Sequence, residues 1–67
     1  MTIQELVNVM EKHVKKFSVY YDEDALELDT SNPIIMAGIG RLTVDSVDPI
    51  IIDGGVTVYI HPAVKIL

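Results

Sequence analysis

Apolar residues recur at steps of three and four at the start of the chain. Ile3, Leu6, Val7, Met10, Val14 and Phe17 share one side of a helical wheel, and Gln4, Glu5, Asn8, Glu11, Lys12 and Lys15 fall elsewhere. Thr2-Ile3-Gln4-Glu5 stands in front of this run as a capping box, in which the Thr2 hydroxyl accepts from the Glu5 amide and the Glu5 carboxylate reaches back to the Thr2 amide. Acids at the start and Lys12, Lys15 and Lys16 near the end match the helix dipole. The pattern predicts a helix from Ile3 to about residue 15. From Phe17 the period drops to two: Phe17, Val19 and Tyr21 point one way, Ser18, Tyr20 and Asp22 the other. Asp22-Glu23-Asp24 is a polar turn, and Leu26 and Leu28 alternate with Glu27 and Asp29, so residues 17 to 29 are expected to form a hairpin.

Thr30-Ser31-Asn32-Pro33 interrupts the pattern. Ile34 to Val44 then reads as a long apolar strand that bends sharply at Gly38 and Gly40. Val47-Asp48-Pro49 is expected to turn the chain again. Ile50-Ile51-Ile52 and Val56 to His61 flank Asp53-Gly54-Gly55, a strong hairpin signal because glycine enters positive φ without steric cost. Pro62 ends that strand, and Ala63 to Leu67 is long enough for a short closing one. The fold expected is mostly β: an N-terminal α-helix over about 3–15, then a strongly bent, five-stranded antiparallel SH3-like small barrel over about 17–67. Both belong to one domain spanning residues 1–67.

Composition narrows the reading. A chain of 67 residues has room for one domain, and at this size only about 60% of the unfolded surface is buried. Without cysteine it has no disulfide, thiolate zinc site or thiol nucleophile to reinforce it, which makes association with other chains the expected substitute. Ile34, Ile35, Met36, Ile39, Ile50, Ile51, Ile52 and the terminal Val64-Lys65-Ile66-Leu67 place apolar groups on both faces of strands, whereas a solitary barrel needs only one. A closed homo-oligomer accounts for the second face, with Val58, Tyr59, Ile60, Ile66 and Leu67 as expected interface residues. The net charge is −5, and Asp22, Glu23, Asp24, Glu27 and Asp29 form one block equal to all of it, the rest of the chain summing to zero. Such a chain is a poor general counter-ion for nucleic acid or anionic lipid. No window approaches the roughly 18 apolar residues of a membrane span, and no basic segment leads into an apolar core at the N-terminus, so no membrane partner and a cytoplasmic location are expected.

Little in the sequence points to catalysis. The acidic block lacks the alternating carboxylates, glycine and distant glutamate of a calcium loop, and reads as a solvated turn and outer face. His13 and His61 have no third ligand at metal spacing and no nucleophile beside them. His13 falls on the polar flank of the helix. His61 shares a strand face with Thr57 and Tyr59, which makes a line of hydrogen-bonding groups suited to an inter-subunit face or a ligand. Gly38-Ile39-Gly40 lacks the third glycine and the following Lys-Ser/Thr of a phosphate loop. Asp45 and Asp48 beside Ser46 are ordinary turn residues, and Arg41 is expected to pair with Asp45. No enzyme activity, metal or cofactor is expected.

Two short motifs carry a family resemblance. Thr2-Ile3-Gln4-Glu5 is similar to the Ser-Leu-Gln-Asp-type helix start of the bacterial Hfq branch of the Sm-like family, and Tyr59-Ile60-His61-Pro62-Ala63-Val64 resembles that family's Tyr-Lys-His-Ala-Ile segment. Gly40-Arg41-Leu42 followed by Asp45 is a third, weaker likeness. Together they touch about a quarter of the chain. The resemblance implies an N-terminal helix on a five-stranded bent barrel, a homo-oligomeric ring, and single-stranded, uridine-rich RNA held on the helix-bearing face. Gln4 and His61 would then meet base edges, with Lys12, Lys15 and Lys16 supplying positive charge. The family's lysine is replaced by Ile60, no aromatic follows Asp45, residues 30 to 39 look inserted, and Pro62 splits the His-Ala pair. The alternative is a non-catalytic protein-interaction or structural module, such as an assembly or virion component, that contacts a protein partner through exposed strand edges and the acidic hairpin.

Overall fold

A computed structural model of the chain describes residues 1–21 and 23–63. The capping box is formed: Thr2 N–H donates to Glu5 Oε1 at 2.9 Å, and Glu5 N–H donates to Thr2 Oγ1 at 3.2 Å. It opens α1 (Ile3–Met10), which ends well before residue 15. The sheet is the reason. Lys15 N–H donates to Val56 O at 2.8 Å, so the chain must leave the helix to enter the ladder at β1 (Lys16–Tyr21). β1 and β2 (Asp24–Leu28) form the expected hairpin, with Phe17 opposite Leu28 and Val19 opposite Leu26.

The strand expected over Ile34–Val44 is instead a helix, α2 (Pro33–Ile39). Asn32 is its N-cap, with the side-chain oxygen accepting from Ile34 N–H at 3.0 Å and Ile35 N–H at 3.4 Å, and Pro33 occupies the first turn, where its missing N–H costs nothing. The turn expected at Val47-Asp48-Pro49 is likewise absent, because those residues lie within β3 (Val44–Ile52). The Asp53-Gly54 hairpin to β4 (Gly55–Pro62) forms as the sequence suggests: φ is 50° at Asp53 and 77° at Gly54, the two positive values of a type I′ turn.

The strands lie in the order β2-β1-β4-β3, and β1 runs parallel to β4 while both hairpins are antiparallel. The described residues therefore form a four-stranded mixed sheet that does not close. This corrects the all-antiparallel expectation, and among the described residues there is neither a fifth strand nor an SH3-like barrel. Of the expected closing strand, residues 64–67 lie outside the described residues.

Ile3, Leu6 and Val7 of α1 and Met36 of α2 pack with Phe17, Val19, Leu28, Val58 and Ile60 in a single core on one face of the sheet. Val58 and Ile60 are 0% exposed. α1 and α2 are tied by backbone as well as by side chains. Two N–H groups left unpaired at the start of α1 are satisfied by the turn after α2, Ile3 donating to Leu42 O at 2.9 Å and Gln4 to Gly40 O at 3.0 Å. Both free edges of the sheet are protected. Outer strand β2 presents Asp24 and Glu27. Outer strand β3 carries Pro49 in mid-ladder, whose nitrogen has no proton to donate and so faces away from β4. No helix among the described residues is long and apolar enough to cross a membrane.

Candidate functional site

With Phe17, Val19, Val58 and Ile60 turned toward the helices, alternation puts Lys16, Ser18 and Tyr20 of β1 and Thr57, Tyr59 and His61 of β4 on the opposite face. The register adds Asp48 and Ile50 of β3, which stand opposite Tyr59 and Thr57. No described helix covers this face. At its centre Ser18 and Thr57 are buried beneath longer neighbours, and no buried side-chain nitrogen or oxygen among the described residues lacks a hydrogen-bond partner.

The upper part of the face holds a shallow cavity of about 540 Å³ lined by Tyr20, Asp48, Pro49, Ile50, Tyr59 and His61. His61 Nε2 lies 2.8 Å from Asp48 Oδ2. The His61 ring also rests against Tyr20, with centroids 5.1 Å apart and planes inclined at 41°. Asp48 remains 68% exposed at its side chain, so the carboxylate stays open to solvent beside its contact with His61. The arrangement is a carboxylate at the rim of an aromatic and aliphatic depression. Ser46 pairs with His61 in the ladder, yet no hydrogen bond joins their side chains, and the His61–Asp48 pair has no bonded nucleophile. Among the described residues no group of three or more His, Asp or Glu side chains is placed to hold a metal ion.

A second groove, about 530 Å³, runs between the end of α1 and β2. Glu11, Lys15, Lys16, Glu27 and Asp29 line it with charges of both signs. Among the described residues, Glu5 and Asp29 are the carboxyls with displaced titration, and both lie at element ends. Glu5 is held below the usual carboxylate range by the Thr2 backbone N–H and then by the Thr2 hydroxyl. Asp29 is held down by the Ser31 hydroxyl and then by the Ser31 N–H, in the turn after β2.

Of the residues anticipated for RNA, the structure unites only some. His61 and Lys16 share the uncovered face, where Lys16 Nζ lies 3.4 Å from Glu27 Oε2. Gln4 is on the other side of the sheet, donating from Nε2 to Asn8 Oδ1 at 2.9 Å and packed against Gly40. Lys12 is exposed in the turn that follows α1, as is His13. Of the anticipated interface residues, Tyr59 lies on the uncovered face. Val58 and Ile60 do not serve an interface in this fold, because their side chains are enclosed in the chain's own core. Ile66 and Leu67 lie outside the described residues. Arg41 does not pair with Asp45. It sits on the turn between α2 and β3, exposed and without an ion pair among the described residues.

Of the remaining site residues, Tyr20 is given only an outward strand position by the sequence, and Asp48, expected to be an ordinary turn residue, lies instead within β3. The alternation of Phe17 and Val19 was signal enough for Tyr20, whereas Asp48 was obscured by its place beside Pro49. Compared with models of known protein families, with curated proteins and with solved structures, the chain matches none.

Proposed function

We propose that the protein is a non-catalytic assembly module that joins copies of itself into a homo-oligomer through the uncovered face of its sheet. The observation that supports this reading is the company kept on that face, where Tyr20, Tyr59 and Ile50 adjoin one another with no described element above them. Tyrosine is enriched in protein interfaces, and an apolar patch rimmed by polar groups is the kind of surface a partner buries. The edges are less suited to the task, since acids protect β2 and Pro49 removes a donor from β3. Light scattering during size-exclusion chromatography, across a dilution series, tests the reading. A mass above the single chain's 7.4 kDa is expected, returning to that value in Tyr59→Glu without loss of the folded state. A monomer at every concentration refutes it.

A second reading is single-stranded RNA on the same face, which is not the helix-bearing face that the Sm-like resemblance implies for a uridine-rich ligand. It is favoured by the placement of Tyr20, Tyr59 and His61 on the two central strands, where planar rings are available for base stacking worth about 1–3 kcal/mol per base. Against it stand the net charge of −5 and the acids already beside Lys16 and His61, Glu27 at the first and Asp48 at the second. Salt-dependent binding of labelled uridine-rich or adenine-rich oligonucleotides, lost in Tyr20→Ala, supports this second reading; no binding at low salt removes it.

A further inference from the structure

The geometry points to a head-to-tail contact in which Arg41 of one copy enters the Tyr20–Tyr59–Asp48 depression of the next. The inference rests on the homo-oligomeric reading and specifies its interface. The depression has the composition of a cation receptor. The solvent-open Asp48 carboxylate offers a charge-assisted hydrogen bond, and the Tyr20 and Tyr59 rings offer π faces on which a guanidinium stacks, a pairing that operates within about 6 Å of a ring centroid. The chain carries one arginine, and that arginine has no ion-pair partner among the described residues.

Its mounting is as informative as its freedom. The carbonyls on either side of it, Gly40 O and Leu42 O, are both held by the first turn of α1, at 3.0 and 2.9 Å. Arg41 is thus presented from a fixed turn, and less backbone entropy is lost when it docks than from a loose loop. Guanidinium is also the cation best suited to a site that combines a carboxylate with aromatic faces. The net charge of each copy opposes association at long range, yet at physiological salt such repulsion is screened beyond about 8 Å, and the contact is decided by local complementarity.

The donor turn packs against α1 on the helix-bearing side of the sheet, and the receptor lies on the other side. One copy cannot satisfy donor and receptor with the same neighbour through a single shared patch. The contact is heterologous, and successive copies close into a ring or continue as a filament.

Neutral substitutions test it. Arg41→Gln removes the donor and keeps the receptor; Asp48→Asn removes the receptor charge and keeps the donor. Each is expected to weaken self-association in sedimentation velocity by about tenfold or more, with the thermal midpoint retained. Glu27→Gln, an equal change of charge on the same face, is expected to leave association unchanged. Mixed in equal amounts, the first two variants should form a pair of two chains and go no further, since one docking remains possible and the next does not. If both single variants assemble like the parent chain, the Arg41 contact is wrong while the homo-oligomer stands. If the parent chain is a monomer throughout, the reading beneath it fails as well. If a labelled Gly-Arg-Gly peptide binds the parent monomer and Asp48→Asn abolishes that binding without any self-association, the occupant is a basic segment of another protein and the second copy is overturned.

Discussion

Two glycines at the end of α2 should respond in opposite directions to the same substitution. Gly38 lies inside the helix, is exposed, and an added Cβ would meet nothing within 4 Å. Alanine there gains the helix-propensity difference, about 0.8–1.0 kcal/mol, and in a domain of this size 1 kcal/mol corresponds to roughly 4–8 °C in Tm. Gly40, the C-cap, is also in the right-handed helical region, φ −59° and ψ −20°, so a local propensity argument forecasts the same benefit. Its surroundings reverse the sign. A Cβ at Gly40 would lie 2.4 Å from Met36 O and 3.2 Å from Gln4 Cβ.

Neither neighbour can retreat cheaply. Met36 O accepts the Gly40 N–H at 2.9 Å, and the Gly40 carbonyl accepts Gln4 N–H at 3.0 Å, so relief means parting the two helices or giving up a cap bond. Overpacking of this kind costs about 1–3 kcal/mol and a lost hydrogen bond about 1 more, against a gain below 1. Gly40→Ala should therefore be about 1–3 kcal/mol less stable than the parent chain, a fall of roughly 5–20 °C. Urea unfolding followed by circular dichroism, with calorimetry for Tm, measures both variants. If Gly40→Ala is stabilised alongside Gly38→Ala, the close approach of α1 to the end of α2 is refuted.

Two further outcomes follow from local geometry. The carboxyls of Glu5 and Asp29 titrate lower in the folded chain than their ordinary values of 4.5 and 3.8, so the unfolded chain binds more protons in the acid range. Their stabilisation is complete above those ordinary values and is lost as the pH falls through the lower folded ones; Tm measured from about pH 6 downward should decline there, and Glu5→Gln and Asp29→Asn should each flatten the decline. At the β3–β4 turn, Gly54→Ala places a side chain at φ 77° and should cost about 1–2 kcal/mol, whereas Asp53→Asn, which keeps a residue type tolerant of φ 50°, should be close to neutral; equal effects in urea unfolding would contradict the type I′ geometry.

What the sequence revealed of this fold was what its local chemistry states outright. Thr2 and Glu5 mark the start of α1, the alternation from Phe17 marks β1, and Asp53-Gly54 marks the β3–β4 hairpin, each within a few residues. The face bearing Thr57, Tyr59 and His61 was legible for the same reason, being a matter of period alone. Most of the errors trace to one segment. Ile34 and Ile35 look like a strand, and a helix of seven residues offers too few repeats for its period to outweigh β-branched composition; the Asn32-Pro33 start signal carried the answer and reads equally well as a loop.

Once Pro33–Ile39 is a helix, the other departures follow. The chain is carried from β2 at one edge to β3 at the other, and the β3–β4 hairpin folds β4 inward to lie parallel to β1. β3 becomes an outer strand, where a proline is tolerated, so Pro49 continues the strand instead of ending it and Asp48 comes to face His61. Arg41 leaves a strand for the turn pinned by α1, on the opposite side of the sheet from Asp48. Gln4 and His61, joined only by the family resemblance, are separated by the same sheet. The receptor and its proposed donor are therefore products of the crossover, and no periodicity within either segment could have paired them.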